Sequence, residues 1–188
     1  LARVTGAYYP AEFPFSSDLG TLPYIFNEKI INDPSAANQL LTEVIGPEAE
    51  AVGLMTYLAP GLLPQQFFLS EEIDLFNPDL TGMRVRVYSE PLVRTIELLG
   101  GTGIRLPSSE VPIGLETGVI DAFVTGISRY RSFQLERAVP YVIFSNMIVA
   151  MGAQFSFNRD AFNSLPKDIQ DIFMEGARVG AKWGIDNR

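Results

Sequence analysis

The sequence contains no cysteine and no histidine. Without them the chain can form no disulfide, no thiol or Ser-His-Asp nucleophile, and none of the zinc sites that thiolates and imidazoles build. No apolar run approaches the roughly 18 residues that cross a bilayer, and no signal peptide is visible. We therefore expect a protein that does not itself span a membrane, and we expect no cofactor.

The net charge of the chain limits the kinds of molecule that it is expected to bind. The 188 residues include 22 Asp or Glu and 14 Lys or Arg, which gives a net charge of −8. Such a charge argues against nucleic acid and anionic membrane surfaces as partners, whereas a local arginine can still bind a small anion. With 47% hydrophobic residues, the chain can bury one sizeable core or two small lobes.

One stretch, LTGMRVRVYSEP, carries the strongest local signal. Apolar residues alternate there with Arg84 and Arg86, which predicts a short strand, and Ser89 and Pro91 predict the start of a helix. Arg86 would lie near the carboxyl end of the strand, where open α/β sheets bind ligands and helix N-termini favour anions. The pattern indicates a guanidinium fork for a carboxylate. The alternative is an edge strand with two solvated arginines.

Strand-like and helix-like segments alternate along the chain, which predicts an α/β protein with mostly parallel sheets. The chain starts in what resembles a strand already under way and ends in a helix without a cap, so we expect that sequence is missing at both ends. The expected strands are 1–4, 54–58, 65–69, 83–87, 104–106, 119–124 and 141–151, and the expected helices start at Pro34, around Pro91, and at 108, 129 and Ser164.

Three motifs in order resemble one known family. They are DLTGMRVRV from Asp79, GLETGVIDAF from Gly114 and NRDAFNSLPKDIQDIF from Asn158. The chain resembles, over essentially its whole length, the solute-binding subunit of tripartite ATP-independent periplasmic (TRAP) transporters, the DctP-like family. The resemblance implies a two-lobed, hinged periplasmic binding protein that closes on a small organic acid. It also implies a membrane permease as partner, a periplasmic location and no enzymatic activity.

The resemblance also assigns residues to the ligand site. Arg86 stands where the family has its carboxylate-binding arginine, and further contacts are expected near Phe123 and Thr125. Gln66 is a further expected ligand contact; it stands at a position that is often basic in the family, which argues against a second arginine clamp. Thr125 stands where an asparagine is familiar, which argues against a ligand mode like that for sialic acid.

The same mapping divides the chain into two lobes. One lobe is expected at 1–63 plus 150–188, where Tyr8 and Tyr9 would contact the ligand, and the other at 64–149. The crossings between them are expected near Ala59-Pro60-Gly61 and Ile148-Val149-Ala150, where small residues can absorb a hinge motion.

An enzyme remains the alternative reading. Arg86 would then anchor a small carboxylate substrate, and Asp121 or Glu110 would serve as general base. The simpler interpretation is that Asp121 accepts backbone N–H groups and that Glu110 complements a helix dipole. We interpret Arg84 as a solvated charge at the sheet end. Because a nucleophile, a metal cluster and a cofactor loop are all missing from the sequence, binding is favoured over catalysis.

Overall fold

The computed structural model describes residues 2–4, 6–19, 21–24, 39, 43, 46–57, 62–74, 76–151 and 154–186. The body of the helix predicted from Pro34 and the crossing predicted at Ala59-Pro60-Gly61 lie outside these residues. Within them, no helix combines the length and apolar character needed to cross a membrane.

The chain divides into two compact units. The first contains Leu1–Gly20, Phe26–Leu63 and Ala150–Arg188, and the second contains Thr21–Ile25 and Pro64–Val149. The segment Thr21–Ile25 thus groups with the second unit, whereas the sequence mapping assigned it to the first lobe. The lobe boundaries of the full-length protein stay a prediction.

The helices and strands of the described residues are numbered here in chain order. The strands are β1 (Ala2–Val4), β2 (Leu54–Tyr57), β3 (Leu62–Leu69), β4 (Arg84–Val87), β5 (Thr102–Arg105), β6 (Ala122–Thr125), β7 (Tyr141–Met151) and β8 (Gln154–Asn158). The α-helices are α1 (Pro14–Leu19), α2 (Gly46–Ala51), α3 (Glu90–Leu98), α4 (Val111–Glu116), α5 (Ile127–Phe133), α6 (Arg159–Asn163) and α7 (Lys167–Asp186). Short 3-10 helices cover Gly6–Tyr8 and Ser108–Glu110.

The first unit contains a three-stranded antiparallel sheet in the order β1-β8-β2. Strand β8 and helix α6 come after the long strand β7, and neither was predicted from the sequence. The boundary between them is set by Asn158, whose side chain accepts a hydrogen bond from the backbone N–H of Ala161 at 2.9 Å. This is an ordinary N-cap, which ends the strand and starts the helix at one residue.

The second unit contains a five-stranded sheet in the order β5-β4-β6-β3-β7. Strand β4 runs parallel to β5 and β6, whereas β3 runs antiparallel to β6. The predicted α/β class is therefore confirmed, but the sheets are mixed rather than mostly parallel. Strand direction was not predictable, because a strand buried on both faces reads as an apolar run in either direction.

Both faces of the parallel part of the sheet are covered. On one face Phe68 stacks on Phe123 and on Tyr130, with ring centroids 5.0 and 4.2 Å apart. Elsewhere α3 packs so closely on β5 that a Cβ added at Gly103 would lie 2.7 Å from the Cα of Val93. Tight packing on both sides holds the ends of β4, β5 and β6 in fixed positions.

Several predicted boundaries are shifted. Strand β7 has the predicted bounds, but β6 begins at Ala122 rather than 119, and the buried Ile120 lies in the loop before it. Helix α5 ends after Phe133, because Gln134 adopts the left-handed conformation at φ 54° and closes the helix. Helix α7 begins at Lys167 rather than Ser164.

Candidate functional site

The buried polar side chains of the second unit gather at one edge of its sheet. This edge is where the parallel strands β4, β5 and β6 reach their carboxyl ends. Of the six buried polar or charged side chains described in the unit, all but Thr21 lie on strands there or directly after one. These five are Gln65, Gln66, Arg86, Ser89 and Thr125. Because burying polar groups is costly, their concentration indicates a binding site rather than ordinary core.

Arg86 is the centre of this edge. It is 1% exposed, and the hydrogen bonds of its guanidinium reach two neighbouring segments of the chain. Nε donates to the carbonyl of Leu106 at 2.8 Å, Nη2 to Oγ of Ser108 at 3.2 Å, and Nη1 to the carbonyl of Val124 at 3.3 Å. The guanidinium carbon also lies 5.7 Å from the centre of the Tyr88 ring. The side chain therefore connects the segment after β5 to strand β6.

These hydrogen bonds orient the cation through neutral acceptors. The three acceptors are a hydroxyl and two carbonyl oxygens, which carry no formal charge. A guanidinium has five N–H groups in a planar fork that matches a carboxylate, and a buried charge interacts more strongly than a solvated one. Arg86 is thus pre-oriented for an anion.

Two neutral side chains lie on the same face of the sheet. Gln66 pairs with Thr125 across β3 and β6, and Arg86 pairs with Phe123 across β4 and β6. Paired residues share a face, and so do residues two apart on a strand. Gln66 and Thr125 are therefore on the face that carries Arg86, and both are buried. They place an amide and a hydroxyl beside the cation.

Ser89 follows β4 and occupies the N-cap position of α3, as predicted. Its side chain makes no capping hydrogen bond, although a serine at this position normally does so. Ser89 is 0% exposed, and its hydroxyl has no hydrogen-bond partner among the described residues. Buried hydroxyls normally have a hydrogen-bond partner. The hydroxyl of Ser89 can therefore form a hydrogen bond with a ligand at this edge of the sheet.

The remaining predicted ligand contacts are Phe123, Tyr8 and Tyr9, and their contact with the ligand stays a prediction. Phe123 is buried in the ring stack with Phe68 and Tyr130, so its packing favours a role in the core. Tyr8 and Tyr9 belong to the first unit, where both are exposed.

Asp121 and Arg84 form a structural pair at the amino end of β4. The carboxylate accepts hydrogen bonds from Nε and Nη2 of Arg84 at 2.8 and 2.7 Å, and from its backbone N–H at 2.9 Å. These bonds lower the pKa of Asp121, so it is poorly suited to act as a base. As predicted, Arg84 is an exposed charge at the sheet end, with its side chain 44% exposed, but its ion pair with Asp121 was not predicted. Glu110, the other candidate base, is exposed at the end of its 3-10 helix.

Sequence reasoning missed Ser108 as part of the site. We treated it only as the start of a helix, whereas it anchors the guanidinium of Arg86. Its position in the sequence could have indicated this role, because Ser108 follows closely on β5 and therefore lies at the ligand-binding edge of a parallel sheet. The carbonyl anchors at Leu106 and Val124 leave no trace in residue type.

A buried, hydrogen-bonded arginine at the carboxyl edge of an α/β sheet is a candidate binding site for a small anion. The chain belongs to DctP, family 7 of the bacterial extracellular solute-binding proteins, whose family model matches residues 73–187. This match covers more than half of the chain and includes β4, β5, β6 and the buried arginine. The predicted family is therefore confirmed.

Three known proteins resemble this chain. A solute-binding protein of Albidiferax ferrireducens is 29% identical over 111 residues, which are 57% of this chain and 32% of that protein. A Bordetella pertussis extracytoplasmic solute receptor that binds pyroglutamic acid has a TM-score of 0.81 and 20% identity, with 98% of this chain and 60% of that chain covered. A TRAP periplasmic solute-binding protein of Pseudomonas aeruginosa with bound L-malate has a TM-score of 0.78 and 13% identity, with 96% and 62% covered. The chain thus spans about three fifths of these two structures and a third of the curated relative.

Proposed function

We propose that this protein captures a small organic acid by pairing the acid's carboxylate with Arg86. The observation that carries the proposal is the burial of the guanidinium at the carboxyl edge of β4, oriented by three neutral oxygens. A carboxylate that meets this fork forms charge-assisted hydrogen bonds away from bulk water, where such bonds are strongest. Binding then requires no chemical step.

The setting of this capture follows from the family. The pyroglutamate receptor and the malate-binding TRAP protein both take small organic acids, which supports the same ligand class for this chain. In the proposed setting the full-length protein works in the periplasm of a bacterium and passes its ligand to the membrane permease of a TRAP transporter. Capture outside the cytoplasm and release at the permease are the two halves of that function.

Substitution of Arg86 tests the proposal. Removing one partner of a desolvated charge pair typically costs about 2–5 kcal/mol, so Arg86→Ala should weaken acid binding roughly 30-fold to several thousand-fold. Arg86→Lys should also weaken it, since an ammonium cannot form the bidentate fork. Calorimetry on the full-length protein with a panel that includes pyroglutamate and malate measures both variants.

Arg94 provides the matched control. It lies on the neighbouring helix α3, its side chain is 71% exposed, and it pairs with Glu97 of the same helix. Arg94→Ala removes the same charge from the same part of the chain and should leave affinity unchanged. Circular dichroism confirms that each variant is folded. Equal acid affinity in Arg86→Ala and wild type would refute the proposal.

A further inference from the structure

We infer that the Arg86 site takes an acid with a single carboxylate and a neutral, hydrogen-bonding remainder, such as an amide or a hydroxyl group. This inference rests on the proposed function and specifies its ligand class. It derives from the kinds of side chain that the sheet edge supplies, which are one cation and several neutral donors and acceptors.

The cations of the second unit argue against a second carboxylate. Among its described residues, Arg86 is the only charged side chain that is buried. Arg84 is engaged by the carboxylate of Asp121 at the far end of β4. Arg105, at the carboxyl end of β5, lies 3.9 Å from the carboxylate of Glu90, and both side chains are largely exposed. A second ligand carboxylate near Arg105 would therefore also meet the negative charge of Glu90.

Helix α5 follows β6 at the same edge and carries the next cations along the chain. The guanidinium of Arg129 lies 5.5 Å from the centre of the Phe133 ring, one turn further along its own helix. Arg131 lies in the last turn of α5, away from the sheet edge where the helix begins. Both side chains are exposed. Neither therefore supplies the buried second cation that a diacid would favour.

The neutral groups indicate what the remainder of the ligand offers. Gln66 contributes an amide, and Thr125 and Ser89 contribute hydroxyls, all of them buried at the edge that carries Arg86. The hydroxyl of Ser89 in particular makes no hydrogen bond to the described part of the chain. An amide or hydroxyl of the ligand can exchange hydrogen bonds with such groups, whereas a carboxylate placed there loses its hydration without gaining a cation.

Matched pairs of acids test the inference on the full-length protein. Succinamate and succinate share one skeleton, as do glutaramate and glutarate, and each pair differs only in replacing one carboxylate by an amide. We expect calorimetry to show the monoamide binding at least about tenfold more tightly than its diacid, a difference that corresponds to roughly 1.4 kcal/mol. Binding of both members should be lost in Arg86→Ala.

Two variants and one control locate the preference at the sheet edge. Gln66→Lys adds a cation at the edge and should shift the ranking towards the diacids, whereas Gln134→Lys makes the same change at an exposed position and should not. Thr125→Val keeps the shape of the side chain without its hydroxyl, and should weaken monoamide binding more than diacid binding. It provides a second measurement if Gln66→Lys does not fold.

The possible outcomes separate the two proposals. Tighter binding of diacids by the wild type, still dependent on Arg86, would overturn this inference and leave the proposed function standing. An unchanged ranking in a folded Gln66→Lys variant, or an unchanged monoamide affinity in Thr125→Val, would also overturn it. If neither these four acids nor the pyroglutamate and malate of the wider panel show Arg86-dependent binding, the proposed function itself is contradicted.

Discussion

Ser108 is predicted to act on ligand affinity through Arg86. Two of the three anchors of the guanidinium are backbone carbonyls, so Ser108 is the one of these anchors that a side-chain substitution removes. Hydrogen bonds to charged groups contribute about 1.5–3 kcal/mol, and a length of 3.2 Å lies at the long end of the usual range. We therefore expect Ser108→Ala to reduce the binding free energy of the acid by about 1.5 kcal/mol, which weakens binding roughly tenfold.

Calorimetry with the acid that binds the wild type best measures this loss. Ser109→Ala is the matched control, because Ser109 is the next residue of the same 3-10 helix and is exposed. Ser108→Thr keeps the hydroxyl and should restore most of the affinity. A merely structural role would lower thermal stability in Ser108→Ala without this pattern of rescue. Unchanged affinity in Ser108→Ala, or an equal loss in Ser109→Ala, would refute the positioning role.

Three further predictions concern stability, each measured by urea denaturation. Gly103→Ala should destabilise the protein by about 1–3 kcal/mol, because its Cβ would meet the backbone of α3 at 2.7 Å; a neutral result would contradict the close packing. Glu48→Gln should lower the free energy of unfolding by about 1–3 kcal/mol, because the buried carboxylate accepts hydrogen bonds from the backbone N–H groups of Phe15 and Ser16 at the start of α1. The single tryptophan, in α7 of the same unit, reports this unfolding by fluorescence. Asp121→Asn should be less stable than wild type at neutral pH, and this difference should shrink as the pH falls through the lowered pKa of Asp121, below its ordinary value of 3.8. A difference that grew on acidification would contradict the ion pair with Arg84.

The centre of the site could be predicted from local sequence. Alternation in MRVRV identified β4, and the serine and proline after it identified the start of α3, so Arg86 was placed near the carboxyl end of a strand. Both signals depend on residues close together in the chain. The contacts that orient the guanidinium are 20 to 38 residues away, and no local pattern encodes them.

Strand register accounts for most of what could not be predicted. The pairing of β4 with β6 brings Arg84 next to Asp121, 37 residues later, and the same register places Phe123 in the core. From the sequence alone, an aromatic residue that follows an aspartate looks the same whether it lines a ligand pocket or packs in the hydrophobic core. The direction of β3 was hidden for a similar reason, since a strand buried on both faces lacks a directional pattern. Such features depend on which strands meet, which a single sequence does not state.

The two arginines of β4 show how the partner decides the role of a charge. Arg84 and Arg86 lie two residues apart and therefore on one face of the sheet. Arg84 meets a carboxylate from the loop before β6, so a ligand would have to displace Asp121 to reach it. Arg86 is oriented by the hydroxyl of Ser108 and by carbonyl oxygens, which hold the guanidinium in place and carry no formal charge themselves. A site that binds and releases an acid needs this second arrangement, because the energy of the ion pair is then gained when the ligand binds and not when the protein folds.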